Sequence, residues 1–265
     1  MSAEVTPGYD ALRAELDAER PVALATIVEG ATVGAKLLVR PGRPVSGSLG
    51  PADLDRVVTR DTEAELAAGL TSLRHYGAHG EARADAVSVF IESFVPPPRM
   101  VIFGAVDFTA ALGRVAKVLG YRVVVCDARA VFATAQRFPM ADEVVCEWPD
   151  RYLTAVGPTL GPRDAICVLT HDAKFDVPAI VSALRTEVGY LGAMGSRRTH
   201  AARAERLREA GVTVAQLARV MAPIGLDIGS RTPEEAAVAI CAEIIAVRTG
   251  RTTAGPLRDG SGAIH

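Results

Sequence analysis

The stretch VLTHDAKFDVP sets Thr170, His171, Asp172, Lys174 and Asp176 directly after an apolar run. A histidine flanked by carboxylates and a lysine can serve as acid, base or metal ligand, because imidazole changes charge near neutral pH. The plainer reading is that His171 and Asp172 hydrogen-bond a turn. His171, Asp172 and Asp176 also offer oxygen and nitrogen donors to a divalent ion, but their spacing matches no specific metal motif. The other histidines, His75, His79, His200 and His265, lie in helical or tail contexts.

A second polar stretch, YLGAMGSRRTHAARAERLREAG, follows an apolar run with Ser196, Arg197, Arg198 and Thr199 at the start of a helix. Free backbone N–H groups, a hydroxyl and two guanidinium groups make an anion cradle. Arg203, Arg206 and Arg208 continue the basic character, which taken alone reads as a solvated helix face. A third stretch, APIGLDIGSRTPEE, places Gly225 and Gly229 around Asp227, a pattern that suits close backbone approach to a neighbouring strand or to a ligand.

The remaining candidate is VIFGAVDFT, a strand, a tight turn at Gly104 and a helix. Dinucleotide-binding turns carry a second glycine so that the backbone can approach the pyrophosphate. Here that position is Val106, and Asp107 follows. A carboxylate at a helix N-terminus already satisfies the helix dipole and repels phosphate. Asp107 is therefore expected to cap the helix internally. Asp127, some twenty residues after Gly104, stands where a ribose-binding acid belongs, so half of the fingerprint survives.

These residues need strand ends to hold them. MVIFG, YRVVVCD, EVVCE, DAICVLT and VGYLGAMG are near-continuous apolar runs, the pattern of parallel strands covered on both faces. Helical stretches such as TAALGRVAKVLG and PAIVSALRTEV separate them, and the alternation predicts a doubly wound α/β domain. In such sheets ligands bind beyond the carboxyl ends of the strands, where the polar stretches above fall. A final helix should start at Thr232, with Pro233 in its first turn and Glu235 completing a capping box.

Pro96, Pro97 and Pro98 cannot donate ladder hydrogen bonds and mark a boundary. Before them, YDALRAELDAER reads as a helix, PVALATIVEG and AKLLVRPG as strands, DLDRVVTRDTEAELAAGLTSLRHYG as one or two helices ending at Gly77, and ADAVSVFIESF as a strand. The expected organisation is a small α+β domain over residues 1–95, an α/β domain over 99–250 and a disordered tail over 251–265.

The 265 residues are 49% hydrophobic and 23% charged, an ordinary globular composition. A net charge of -2 gives no support to a nucleic-acid partner. No run approaches the ~18 apolar residues of a membrane span, and MSAEVTPGYDALRAELDAER lacks the layout of a signal peptide. The four cysteines, Cys126, Cys146, Cys167 and Cys241, form no CxxC pair and are expected to be reduced and buried, as in a cytoplasmic protein.

Four blocks, CDARAVFATAQRFPMADEVVCEWPDRYL, VLTHDAKFDVPAIVSAL, YLGAMGSRRTHAARAERLREAG and APIGLDIGSRTPEEAAVAICAEIIA, resemble the XdhC/CoxI family of xanthine dehydrogenase accessory proteins. The resemblance implies a Rossmann-like second domain. It also implies a chaperone that binds the molybdenum cofactor, protects it during sulfuration and delivers it to a molybdenum hydroxylase such as xanthine or carbon monoxide dehydrogenase. Homodimerisation and contact with a cysteine desulfurase are implied as well. The cofactor-binding candidates are then His171, Asp172, Lys174, Asp176, Ser196, Arg197, Arg198, Asp227, Asp127 and Gly104, with no catalytic residue and no protein-held metal.

The chain departs from the family at GAVDFT, where relatives often carry Gly-Ala-Gly, and in its shortened N-terminal region. GSLGPADLD stands where the family has a Gly-Gly-Cys-x-Glu stretch, so no cysteine precedes Cys126. Two other functions compete with the chaperone: an NAD(P)-dependent oxidoreductase using His171 as proton donor, and a degenerate scaffold that regulates the same maturation system.

Overall fold

The computed structural model describes residues 7–82, 85–251 and 254–259, which leaves much of the tail expected over 251–265 outside the described residues. The chain divides into two compact units, Met1–Pro96 and Pro97–His265.

In the first unit a helix, α1 (Pro7–Asp17), precedes β1 (Val22–Glu29), β2 (Lys36–Val39), β3 (Ser46–Ser48), α2 (Ala52–Ala68), β4 (Ser72–Tyr76) and β5 (Val87–Phe94). The strands pair antiparallel in the order β3-β2-β1-β5-β4. Alternate residues of β1 and β5, Ala25, Ile27, Val89 and Ile91, face Leu54 and Val58 of α2 in one core. The long helical reading of DLDRVVTRDTEAELAAGLTSLRHYG needs correction. Gly69 adopts a left-handed φ of 68° and returns its N–H to Glu65 and Leu66, which stops α2. The residues that follow pair with β5 from Ser72↔Ile91 to Tyr76↔Val87, so His75 is a strand residue.

The second unit contains β6 (Arg99–Phe103), α3 (Asp107–Val118), β7 (Arg122–Cys126), β8 (Glu143–Val145), α4 (Pro149–Val156), β9 (Ala165–Val168), α5 (Ala173–Ala183), β10 (Tyr190–Ala193), α6 (Arg197–Glu209), the short α7 (Val214–Leu217), β11 (Val220–Met221) and α8 (Pro233–Arg248). Its sheet has the order β11-β10-β9-β6-β7-β8, with every pair parallel. The expected doubly wound α/β fold is present.

Period-two side-chain alternation explains the layering. Met100 and Ile102 of β6, with Val123 and Val125 of β7, pack against Leu112 and Ala116 of α3 and Ile240 and Ile244 of α8. Their neighbours Val101, Phe103 and Val124 pack on the other face with Leu153 of α4, Ile180 of α5 and Leu207 of α6. A strand with both faces covered has no polar side to show, hence the unbroken apolar runs.

The capping box of α8 forms as expected: Glu235 N–H donates to the Thr232 hydroxyl at 3.2 Å, while the Glu235 carboxylate accepts from Thr232 N–H at 3.1 Å. Among the described residues no helix is long and apolar enough to cross a membrane. Leu112 is fully buried where α3 meets the sheet, so Leu112→Ala should destabilise the protein by about 2–5 kcal/mol, read as a lower midpoint in denaturant unfolding.

Candidate functional site

The chain leaves β6 to build β7 and β8 on one side, then returns to build β9, β10 and β11 on the other. The carboxyl ends of β6 and β9 are therefore the switch point where ligands of open α/β sheets bind. Gly104 ends β6 there with φ 110°, and a Cβ on it would stand 2.6 Å from Thr170 Cγ2 and 3.1 Å from Thr170 N. The two loops touch at backbone level.

The N–H groups that would receive a pyrophosphate at this turn have internal partners. Gly104 N–H donates to the Cys126 carbonyl, Ala105 N–H to Asp127 Oδ2 at 2.8 Å and Val106 N–H to the Thr109 hydroxyl at 3.4 Å. That hydroxyl donates in turn to the Gly104 carbonyl. Thr109 therefore does the capping expected of Asp107, which is exposed in the first turn of α3. Asp127 has no free acceptor for a ribose: besides Ala105 N–H it takes Arg129 N–H at 2.9 Å, Arg129 Nε at 2.9 Å and Arg129 Nη2 at 2.7 Å. Burial pushes its carboxyl up, but the bonds from Arg129 and the backbone outweigh burial and hold it below the usual aspartate range.

The polar run after β9 splits rather than converging. Asp172 becomes the N-cap of α5, accepting from Lys174 N–H at 3.0 Å, while the His171 and Lys174 side chains are exposed. Asp176 is buried and accepts from Thr170 Oγ1 and, at 2.8 Å, from Arg203 Nη2, which also donates to the Met194 carbonyl at 2.7 Å. Burial raises the Asp176 carboxyl against the pull of Thr170 and Arg203. No group of three or more metal-ligating side chains assembles among the described residues, so the divalent-ion reading of His171, Asp172 and Asp176 has no geometric basis.

Arg203 corrects a second expectation. It is 3% exposed rather than part of a solvated face. It shares the buried stripe of α6 with Ala204 and Leu207, a helical periodicity that was available in the sequence. Its latch ties β9 and α5 to the end of β10, and its Nη1 is buried without a hydrogen-bond partner, close to the backbone of Gly195.

Directly above this latch α6 begins. Ser196 is its N-cap, accepting from Thr199 N–H at 3.1 Å. Arg197 and Arg198 are exposed, and Arg197 Nη2 lies 3.7 Å from Asp227 Oδ2 with both side chains 89% exposed. Such a pair contributes little to stability. The Asp227 loop is held by Gly225, whose N–H donates to Glu243 Oε2 at 2.9 Å and whose missing Cβ makes room for the α8 backbone at Ile240. The close approach inferred for this glycine is thus to a helix. Nothing lies near Gly229.

Cys126, Cys167 and Cys241 are buried, and burial pushes the Cys126 thiol to about 12 and the Cys241 thiol to about 11. Cys146, expected to be buried, is exposed at the end of β8. A cavity of 380 Å³ lined by Leu153, Gly157, Leu160, Ser182, Arg185 and Thr186 lies at the opposite, amino-terminal edge of the sheet.

Fold and site define a two-unit α/β protein with a closed glycine turn and a capped, basic helix start at the carboxyl edge. Residues 100–244 match the XdhC Rossmann domain, and residues 15–77 match the XdhC and CoxI family. The chain belongs to the XdhC/CoxI family.

Among its relatives, a protein of Bacillus subtilis named as a probable xanthine dehydrogenase component is 33% identical over 161 residues, 61% of this chain and 46% of that protein. The uncharacterized protein YqeB of Escherichia coli is 30% identical over 86% of this chain and 44% of its own. The molybdenum cofactor insertion chaperone PaoD of E. coli is 33% identical over 32% of this chain and 26% of its own. The chain thus spans less than half the length of the curated relatives it matches. A crystal structure of a xanthine dehydrogenase from Bacillus halodurans shares the fold, with TM-score 0.52 and 20% identity over 94% of this chain and 97% of that one.

Two measurements test this edge. The Asp127 carboxyl is held low in the fold, so its stabilisation is present above about pH 4 and is lost as pH falls through the folded value. Asp127→Asn should lower stability at neutral pH and flatten the acid limb of a stability–pH profile. Arg203→Met should cost about 3–5 kcal/mol by stranding Asp176. The double variant Arg203→Met/Asp176→Leu should recover most of that in denaturant unfolding.

Proposed function

We propose that this chain is an accessory protein of molybdenum-enzyme maturation, which takes the molybdenum cofactor as cargo and presents it to a molybdenum hydroxylase of the xanthine or carbon monoxide dehydrogenase type. The observation that carries the reading is the start of α6, where a capped helix N-terminus and the exposed guanidinium groups of Arg197 and Arg198 overlie a buried Arg203 with one unpaired nitrogen. This chemistry suits the phosphate of a pterin cofactor. The names of the B. subtilis and E. coli relatives support the same direction.

The donor set bears on how the cargo is held. No cysteine precedes Cys126, and no metal-ligating cluster forms among the described residues. The protein's grip is therefore on the phosphate and not on molybdenum. Arg197 and Arg198 bind and orient the anion, and Ser196, whose hydroxyl takes Thr199 N–H, caps the helix that carries them. His171 and Lys174, exposed after β9, supply further positive or hydrogen-bonding contacts. The sulfuration step, with its cysteine desulfurase, belongs to this proposal as chemistry performed by the partner. Homodimerisation and a cytoplasmic setting complete it.

An oxidoreductase would need its pyrophosphate at Gly104, where Ala105 and Val106 N–H groups already have partners. A regulatory scaffold would bind neither cofactor. Anaerobic titration of the full chain with molybdenum cofactor, followed by gel filtration, separates the three by the molybdenum retained. We expect near-stoichiometric retention, reduced about tenfold or more in Arg197→Glu/Arg198→Glu with an unchanged circular dichroism spectrum. Equal retention by that variant would sink the α6 assignment. Binding of NADH alone would favour the oxidoreductase, and binding of neither the scaffold.

A further inference from the structure

Arginine and aromatic side chains alternate along the carboxyl edge beside β7, β8 and β9. The buried ring of Phe138 lies 5.4 Å from the Arg137 guanidinium, which lies 5.4 Å from Phe132. Phe132 in turn lies 4.6 Å from Arg129, and Arg129 5.7 Å from Phe175. Phe175 stacks on Trp148 with centroids 4.7 Å apart and planes within 14°. The ladder starts in the core and ends on an indole that is 40% exposed.

Two features separate this ladder from ordinary surface packing. It stands at the edge of the sheet where α/β proteins bind ligands. Arg129 is fixed by Asp127, so the part of the ladder next to Phe175 is preorganised.

We propose that Trp148, backed by Phe175, is a stacking platform for a planar heterocycle, either a 2-amino-4-oxopteridine or a purine nucleotide. The ring lies against the exposed part of the indole, while Arg129, pinned by Asp127 and 5.7 Å from Phe175, braces the ring beneath the indole. The inference deepens the cofactor reading above, since the pteridine is the flat part of that cargo.

Trp148 is the only tryptophan in the chain, so its fluorescence reports this position alone. The full-length protein is titrated with pterin-6-carboxylate and, separately, with AMP. The expected result is saturable quenching by one of them, weakened by Phe175→Leu, which removes the ring that holds the indole in place. Trp148→Phe, followed by calorimetry, should retain most of the affinity, whereas Trp148→Ala should lose it.

Pterin binding assigns the platform to a pteridine, and AMP binding without pterin assigns it to a nucleotide. Non-saturating quenching by both, or saturable binding that Phe175→Leu and Trp148→Ala leave unchanged, overturns the platform. Molybdenum retention by the Trp148→Ala variant is measured in parallel, so loss of the platform and loss of cofactor handling are read separately.

Discussion

One buried carboxylate organises the carboxyl edge of the second unit. Asp127 closes the glycine turn by taking the Ala105 N–H and, with the same two oxygens, pins the Arg129 guanidinium. Both acts follow from its position at the end of β7, beside the turn that ends β6. A carboxylate there must be neutralised, because it is buried, and an arginine two residues later in the same chain segment does so with little conformational cost. The turn is thereby lost to phosphate, while the arginine is delivered to the aromatic rings beyond it.

The second tie is Asp176 with Arg203, a buried pair supported by Thr170 and the Met194 carbonyl, with Arg203 Nη1 left unpartnered and burial still raising the Asp176 carboxyl. It fixes the start of α5 against α6. The two ties lie on either side of the switch point, so the elements that carry exposed Arg197 and Arg198 and those that carry Trp148 are each held from beneath. The exposed guanidinium groups thus stand on backbone that buried ion pairs tie to the sheet.

Much of this was legible in the residues. The apolar runs announced parallel strands, and Thr232 with Glu235 announced a helix start, because both signals are local. Ser196 was read as an anion contact, and its hydroxyl instead takes Thr199 N–H as the cap of α6. What escaped was set by tertiary pairing. LTSLRHYG became a strand because β5 offered an edge once Gly69 had ended α2. Asp107 yielded its expected role to Thr109, whose hydroxyl both donates and accepts where a carboxylate only accepts. Arg203 looked like one more surface arginine, although Ala204 and Leu207 marked its face as inward. The stacking of Trp148 on Phe175 joins residues that follow different strands, β8 and β9, with β6 and β7 lying between, and no spacing rule connects them.

The strand order also fixes a schedule. All five strands of the first unit lie within residues 22–94, so that sheet can be completed as soon as its own segment is made. Within that unit β1 waits for β5, since Ile27 pairs with Val89, and the central strand β6 of the second unit waits over a similar stretch. Its partner β9 follows roughly 60 residues later in the chain, which at ~5–20 residues per second is roughly 3–12 s of translation. During that interval β6 has β7 on one side and an unpaired apolar edge on the other. Each unit therefore carries one unpaired apolar edge while it is being made, on β1 in the first and on β6 in the second, until the strand that covers it has been translated.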